Sequence, residues 1–373
     1  MPQPAMRTLP AAALLLILAC PLAAQPPADG SDDVPADDPA VLAAEPMPRV
    51  AHSLLLDVVA NGKGMAAVGE RGHVLLSSDG SRWTQAEHVP TRATLTAIAE
   101  AGGRYWAAGH DGVILHSRDD GRSWERQRVS PWRPGGADPE AGVPLLDILF
   151  LDENHGFAIG AYSLLLETHD GGASWRARFL ADETEIPDEA GPVATPAGEP
   201  GDWIFSEDEL QLEAEADPHL NAIVRTGSGA LLIAGERGTV FRSRDRGDTW
   251  ERLSLPYEGS MFGVLAWQGD HVLVFGLRGN VFESMDLGDS WIEVDTGTTS
   301  SLMGGHALPD GGAVIVGAEG VVLHRQHAGA PFRVRTFTNQ AGETPVLSGV
   351  LPAADGGLVV IGDRGVDRYR IED

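Results

Sequence analysis

Apolar and polar positions along this chain alternate in short runs of strand length, and glycines cut the runs at a recurring offset. The pattern [Val/Ile/Phe/Ala]-Gly-x-x-Gly-x-[Val/Ile] recurs, with small departures, seven times. Its anchor glycines are Gly69, Gly109, Gly160, Gly235, Gly276, Gly317 and Gly362, spaced by 40, 51, 75, 41, 41 and 45 residues. A basic unit of about 40–45 residues with turns inside it is the period of a four-stranded propeller blade. Residues 94–126 show the unit. Thr94 to Glu100 is an apolar run, Ala101-Gly102-Gly103 a turn, and Tyr105 to Gly109 a second run. His110-Asp111-Gly112 is a tight turn, Val113 to Arg118 a third run, and Trp124 opens a fourth. Such alternation and turn spacing predict strands and hairpins. No segment beyond the N-terminus shows a sustained helical period. The expectation is an all-β, seven-bladed propeller over residues 47–373. Its last unit holds only three strands, so Met47 to Ala51 is expected to supply the fourth and close the ring, leaving no open edge.

A second element follows five of the repeats. It reads SRDDGRSW from Ser117, THDGGASW from Thr168, SRDRGDTW from Ser243 and SMDLGDSW from Ser284, with a shortened SSDGSRW from Ser77. The Asp of each (Asp79, Asp119, Asp170, Asp245, Asp286) can accept backbone N–H bonds within its own turn, and Gly supplies a positive φ there. The Trp of each (Trp83, Trp124, Trp175, Trp250, Trp291) can bury a large ring between blades. A catalytic residue need not be copied into every blade, whereas a structural turn is. These residues are therefore expected to be staples of the fold.

The box is similar to the Asp-box of sialidase-type (BNR) propellers. The third unit, LLDILFLDENHGFAIGAYSLLLETHDGGASW from Leu145 to Trp175, is more specific. It resembles the repeat of the photosystem II stability/assembly factor family through Leu145 or Leu146, Asp147, Phe150, Asp152, His155, Gly156, Phe157, Ala158 and Gly160. The resemblance extends over all seven units and is weakest in the sixth, where HRQHAGAPF replaces the box. It implies an exported, non-enzymatic propeller of the non-photosynthetic bacterial type. Such a protein acts in assembly or as a scaffold, by binding a protein partner.

The N-terminus points to export. Arg7 is the only charge ahead of an apolar run, Leu9 to Leu22, too short to span a bilayer. Ala23-Ala24 before Gln25 fits signal peptidase, giving a signal peptide over residues 1–24. Leu18-Ala19-Cys20 resembles a lipobox, which would instead leave a lipid anchor on Cys20, the sole Cys. The expected compartment is the periplasm, with no transmembrane segment in the mature chain. Formal charge is -27, and the excess is local. Residues 25–46 carry six acids and no base, and are expected to be a disordered tether. Residues 180–217 carry thirteen acids and no base. This balance excludes nucleic acid and adhesion to an anionic membrane surface. The expected partner is a membrane or envelope protein complex, bound by a monomer.

Strand polarity then divides the two faces. With strands lettered a to d outward from the axis, the turns between b and c share one face with the d-to-a connections. The a–b turns and Asp-boxes occupy the other. Both long insertions, Ser130 to Gly142 and Ala181 to Pro218, are d-to-a connections, and long loops carry function more often than short ones. The second holds an apolar patch that includes Trp203 and Phe205, fit to cap the propeller, meet a partner or pack on the rim. Four b–c turns place Arg at one spot: Arg71, Arg237, Arg278 and Arg364. They are suited to bidentate contacts with carboxylates. A partner-binding ring, an inter-blade salt-bridge ring and a small-anion site all fit that pattern. His110, Asp111 and Tyr162 occupy the same turns in other units. His219 enters the fourth unit from this face, as a strand cap or a ligand. The alternative function is a sialidase-type glycosidase or carbohydrate binder, with Tyr162 at the only plausible nucleophile position; no Phe-Arg-Ile-Pro motif accompanies it. The His are scattered along the sequence and no phosphate-binding loop opens a helix, so no cofactor and no metal are expected.

Overall fold

The structure, a computed structural model, describes residues 29–31, 34–183 and 217–371. Seven antiparallel sheets follow one another around a ring; six have four strands and the last has three. Their innermost strands are Leu55–Ala60, Leu95–Ala101, Leu145–Phe150, Leu220–Arg225, Met261–Ala266, Leu302–Ala307 and Leu347–Pro352. Each of these carries a β-bulge at its second residue. The bulge explains the anchor glycine. It presses the carbonyl preceding strand a against the Cα of the glycine opposite, where a Cβ at Gly69 or Gly317 would overlap the oxygen of Leu54 or Ser301. The residue after the glycine then donates its N–H to that same carbonyl, as Glu70 does to Leu54 and Ala318 to Ser301 at 3.1 and 2.9 Å. The recurring glycine is thus a close-approach requirement of a bulged inner strand.

The core lies between blades. Seven separate apolar clusters occupy the seven blade interfaces, including that between the last blade and the first. Each Asp-box Trp packs against the preceding blade: Trp124 on blade 1, Trp175 on blade 2, Trp250 on blade 3 and Trp291 on blade 4. In blade 6, Phe332 takes the Trp position and faces blade 5.

Two expectations are corrected. Met47 to Ala51 does not form the fourth strand of blade 7. Residues Val50–His52 form a 3-10 turn, closed by Val50 N–H on Met47 O and His52 N–H on Arg49 O. Pro46 and Pro48 have no N–H to give to a ladder, which argues against a strand here. The turn still lies beside Gly365 of the last strand, and Val50 and Ala51 pack near Val366. Ring closure rests on that apolar cluster and on Ser348 Oγ donating to Leu55 O at 2.7 Å. Nor are the described residues of 25–46 a free tether. Val34 and Ala40 join the blade 1–2 core, Ala44 N–H bonds Val89 O at 2.9 Å, and Asp29 pairs with Arg126 at 3.0 Å. An acidic composition reads as disorder only until its few apolar residues find a groove.

Candidate functional site

Six of the seven b–c turns share one backbone shape; blade 7 differs, since Gly362 pairs with Gly365 and it is Gly365, not Arg364, that is left-handed, so Arg364 does not occupy the spot of Arg71, Arg237 and Arg278. After the anchor glycine and one helical residue, the next residue has left-handed φ: Arg71 at 55°, Asp111 at 56°, Tyr162 at 56°, Arg237 at 53°, Arg278 at 57° and Glu319 at 56°. Holding a non-glycine there costs about 1–2 kcal/mol. Glycine would avoid that cost, yet six blades place a residue with a side chain at this position. Arg71, Arg237, Arg278 and Glu319 are exposed there, and Tyr162 is half-exposed.

The acid before Arg71, Arg237 and Arg364 has another partner than the next blade. Glu70 accepts the N–H of Leu54 at 3.2 Å, Glu236 that of His219 at 3.2 Å, and Asp363 that of Val346 at 3.1 Å. Each acid therefore closes the start of strand a in its own blade. Among the described residues, Arg71 and Arg278 form no ion pair, and Arg364 pairs with Glu343 at 3.3 Å. An inter-blade ring built from Glu70, Glu236 and Asp363 is not what this geometry contains.

The acidic insertion starts and returns on this same face. Ser163, next to Tyr162, donates its N–H to Pro218 O at 2.9 Å and receives Leu180 N–H at 2.9 Å. Tyr162 and His219 meet edge to face at 5.1 Å, and His219 Nδ1 lies 3.7 Å from Glu236. Trp203 and Phe205, like Cys20, lie outside the described residues. On blade 2, His110 is exposed, while Asp111 neighbours the docked N-terminal arm. Burial, and then the charge of Asp38, raise the Asp111 pKa. Trp132, in the other insertion, is 68% exposed.

The opposite face repeats itself. Asp245 Oδ1 accepts Thr249 N–H at 2.9 Å, and Asp286 Oδ1 accepts Ser290 N–H at 2.8 Å, with the hydroxyl of each partner on the second oxygen. Asp119 and Asp170 hold their turns in the same way, and Asp79, in the shortened box, accepts the N–H of Ser81 and of Arg82. The hydroxyl bond from Thr249 or Ser290, and then the backbone bond, hold the Asp245 and Asp286 carboxyls below their usual range. These carboxylates are occupied by their own turns.

Blade 6 shows what replaces a box. Arg325 stands at the box Ser position, opposite Ala313 as Ser284 stands opposite Val272. It is 1% exposed, bonds Glu283 at 2.6 Å and lies over Phe332 and Trp267. His271 completes the group at 2.6 Å from Glu283. Burial opposes ionisation of Glu283, but the bonds from His271 and Arg325 prevail and hold its carboxyl at about 2.

A third region was not anticipated. Asp57 and Asp147 follow the bulges of two inner strands. Asp57 accepts Ile98 N–H and Asp147 accepts Ile223 N–H, both at 2.8 Å, tying blade 1 to blade 2 and blade 3 to blade 4. Thr96, Asn221 and Ser348 make the matching stitches to the next inner strand at 2.6, 2.9 and 2.7 Å. Burial and the charge of Asp57 push Asp147 up to about 7, against the pull of its two N–H bonds.

Comparison with known proteins now bears on this geometry. Residues 50–143 and 140–190 match the family described as photosynthesis system II assembly factor YCF48. The photosystem II assembly lipoprotein Ycf48 of Synechococcus sp. (strain CC9902) is 31% identical over 140 residues, 33% of this chain and 40% of that protein. Over residues 50–190 the chain is similar to photosystem II assembly factors. The chloroplastic stability/assembly factor HCF136 of Oryza sativa subsp. japonica is 26% identical over 162 residues, 43% of this chain and 31% of that one. The matches thus span 40% or less of these two relatives' length. A solved structure of YCF48 bound to D1 peptide superposes with a TM-score of 0.59 at 15% identity, covering 90% of this chain and all of that one. A streptogramin B lyase reaches 0.64 at 11% identity, over 87% of this chain and 95% of its own. An enzyme fits at least as well as YCF48 does, so the likeness in shape carries the fold alone.

Proposed function

We propose that this propeller is a non-enzymatic, exported assembly or scaffold factor of the non-photosynthetic bacterial type. It uses its b–c face to hold a segment of a membrane or envelope protein complex. The observation that carries this reading is the exposed Arg71 and Arg278, at left-handed φ of 55° and 57° and without an ion pair among the described residues. A turn that tolerates strain to present an unpaired guanidinium is suited to a carboxylate-bearing partner. Arg237, Arg364, His110, Asp111, Tyr162 and His219 border the same face. Trp203 and Phe205 belong to the insertion that starts from it. A relative bound to a D1 peptide supports a peptide as the kind of segment held. The chain works in the periplasm, free or anchored through Cys20.

The test is co-isolation of the full chain with solubilised membrane complexes, at low and high salt, for wild type and the pair Arg71→Ala/Arg278→Ala. The expected result is a salt-sensitive complex that the double variant weakens without losing its fold. Equal recovery at both salt levels and in both proteins contradicts the assignment.

A further inference from the structure

We infer that His155, Glu167 and His169 form a site for one divalent transition-metal ion of the zinc class, on the Asp-box face of blade 3. Hairpin register brings them together. Gly156 pairs with Thr168 and Phe157 with Glu167, so His155 and His169 are the next opposed positions outward. His155 Nε2 lies 3.0 Å and His169 Nε2 3.2 Å from the same Glu167 oxygen, and all three ligand atoms fall within 4.8 Å of one another. Metal–ligand bonds of about 2.0–2.2 Å set ligand atoms about 3.3 Å apart in a tetrahedron, so little movement is needed. Two imidazoles and one carboxylate suit zinc, nickel or copper rather than calcium or magnesium, which require more oxygens.

The surroundings favour an ion. Glu167 is 8% exposed and His155 14%, while His169 is 66% exposed, so the site has a buried base and an open mouth. Both ligand-bearing turns are pinned. Asp152 accepts the N–H of Asn154 and of His155 at 2.9 Å, and Asp170 holds the turn after His169 through Ser174 at 2.8 Å. Blade 5 supplies the contrast. Its Glu283 stands at the position of Glu167, with His271 at that of His155, and its charge is met by the permanent cation Arg325. Among the described residues no Arg or Lys pairs with Glu167; two imidazoles face it instead. The third position is Met285 in blade 5 and His169 in blade 3. A buried carboxylate needs a counter-charge, and the blade that lacks the arginine has gained the second ligating nitrogen.

The test is calorimetric titration of the untagged full chain with zinc sulfate, repeated with cobalt(II) so that the visible spectrum reports coordination. The expected result is one saturable equivalent. His169→Ala, at a largely exposed position, and Glu167→Gln should each weaken it by more than the roughly 10–100-fold that loss of an outer-shell partner costs. His271→Ala in blade 5 should leave it unchanged. Absence of saturable binding overturns the site, as does binding that survives both blade 3 variants or is lost with His271→Ala.

Discussion

The two faces of this propeller differ in what they repeat. On the Asp-box face, four blades repeat the same side chain with the same bonds, the shortened box of blade 1 bonds nearer residues, and the Asp oxygens are spent on their own turns. On the b–c face, the backbone repeats while the side chain at the left-handed position changes from Arg to Asp, Tyr and Glu. Repetition of a satisfied group marks what the fold needs. Variation on a shared, mildly strained frame marks a surface free to be specified by a partner.

The largest expected effect tests whether the Asp-box face is structural even where its box is missing. Arg325→Ala leaves Glu283, 12% exposed, with His271 alone. Removing one member of a buried pair costs about 3–5 kcal/mol, to be read by denaturant unfolding. A loss under about 1 kcal/mol would break the equivalence of Arg325 with the boxes. Asp286→Ala is a smaller test, with an expected loss of about 1–2 kcal/mol from stranding turn donors and partner binding unchanged at temperatures where the fold survives. A variant of full stability that no longer binds would reverse the roles of the faces.

The channel between the faces gives a pH test. The folded-state pKa of Asp147, about 7, lies above its ordinary value of 3.8. Between those values the folded chain holds a proton that the unfolded chain has released. Stability therefore falls as pH rises from about 4 to 7 and levels off above. Asp147→Asn should flatten this fall in a series of melts across that window; an unchanged slope would show that Asp147 ionises freely. The smallest stability effect is expected on the b–c face, where Arg71→Ala and Arg278→Ala should each stay within about 0.5 kcal/mol of wild type while partner binding weakens.

Much of the fold is legible in the chain because its signals are local. The anchor glycine and the Asp-box are each written within eight residues, and both report a backbone need that no other residue meets as well. The face of each turn follows from strand polarity, and Glu236 in one such turn bonds His219 at the return of the insertion. What escaped depends on partners distant in sequence. The role of Glu70 as a cap of its own inner strand hides behind an apparent Glu-Arg pair. The docking of Val34 and Ala40 depends on a groove formed by other blades. His155 and His169 look scattered until hairpin register sets them opposite each other; the pairing of Gly156 with Thr168, extended by one residue, is the signal that could have found them.

The most direct measurement places a photo-crosslinking residue at Tyr162 on one face and at Met285 on the other, both at least half-exposed, in living cells. Mass spectrometry of the products should give one dominant membrane-protein adduct from Tyr162 and none from Met285. A dominant adduct from Met285 with none from Tyr162 would contradict the assignment of the working face.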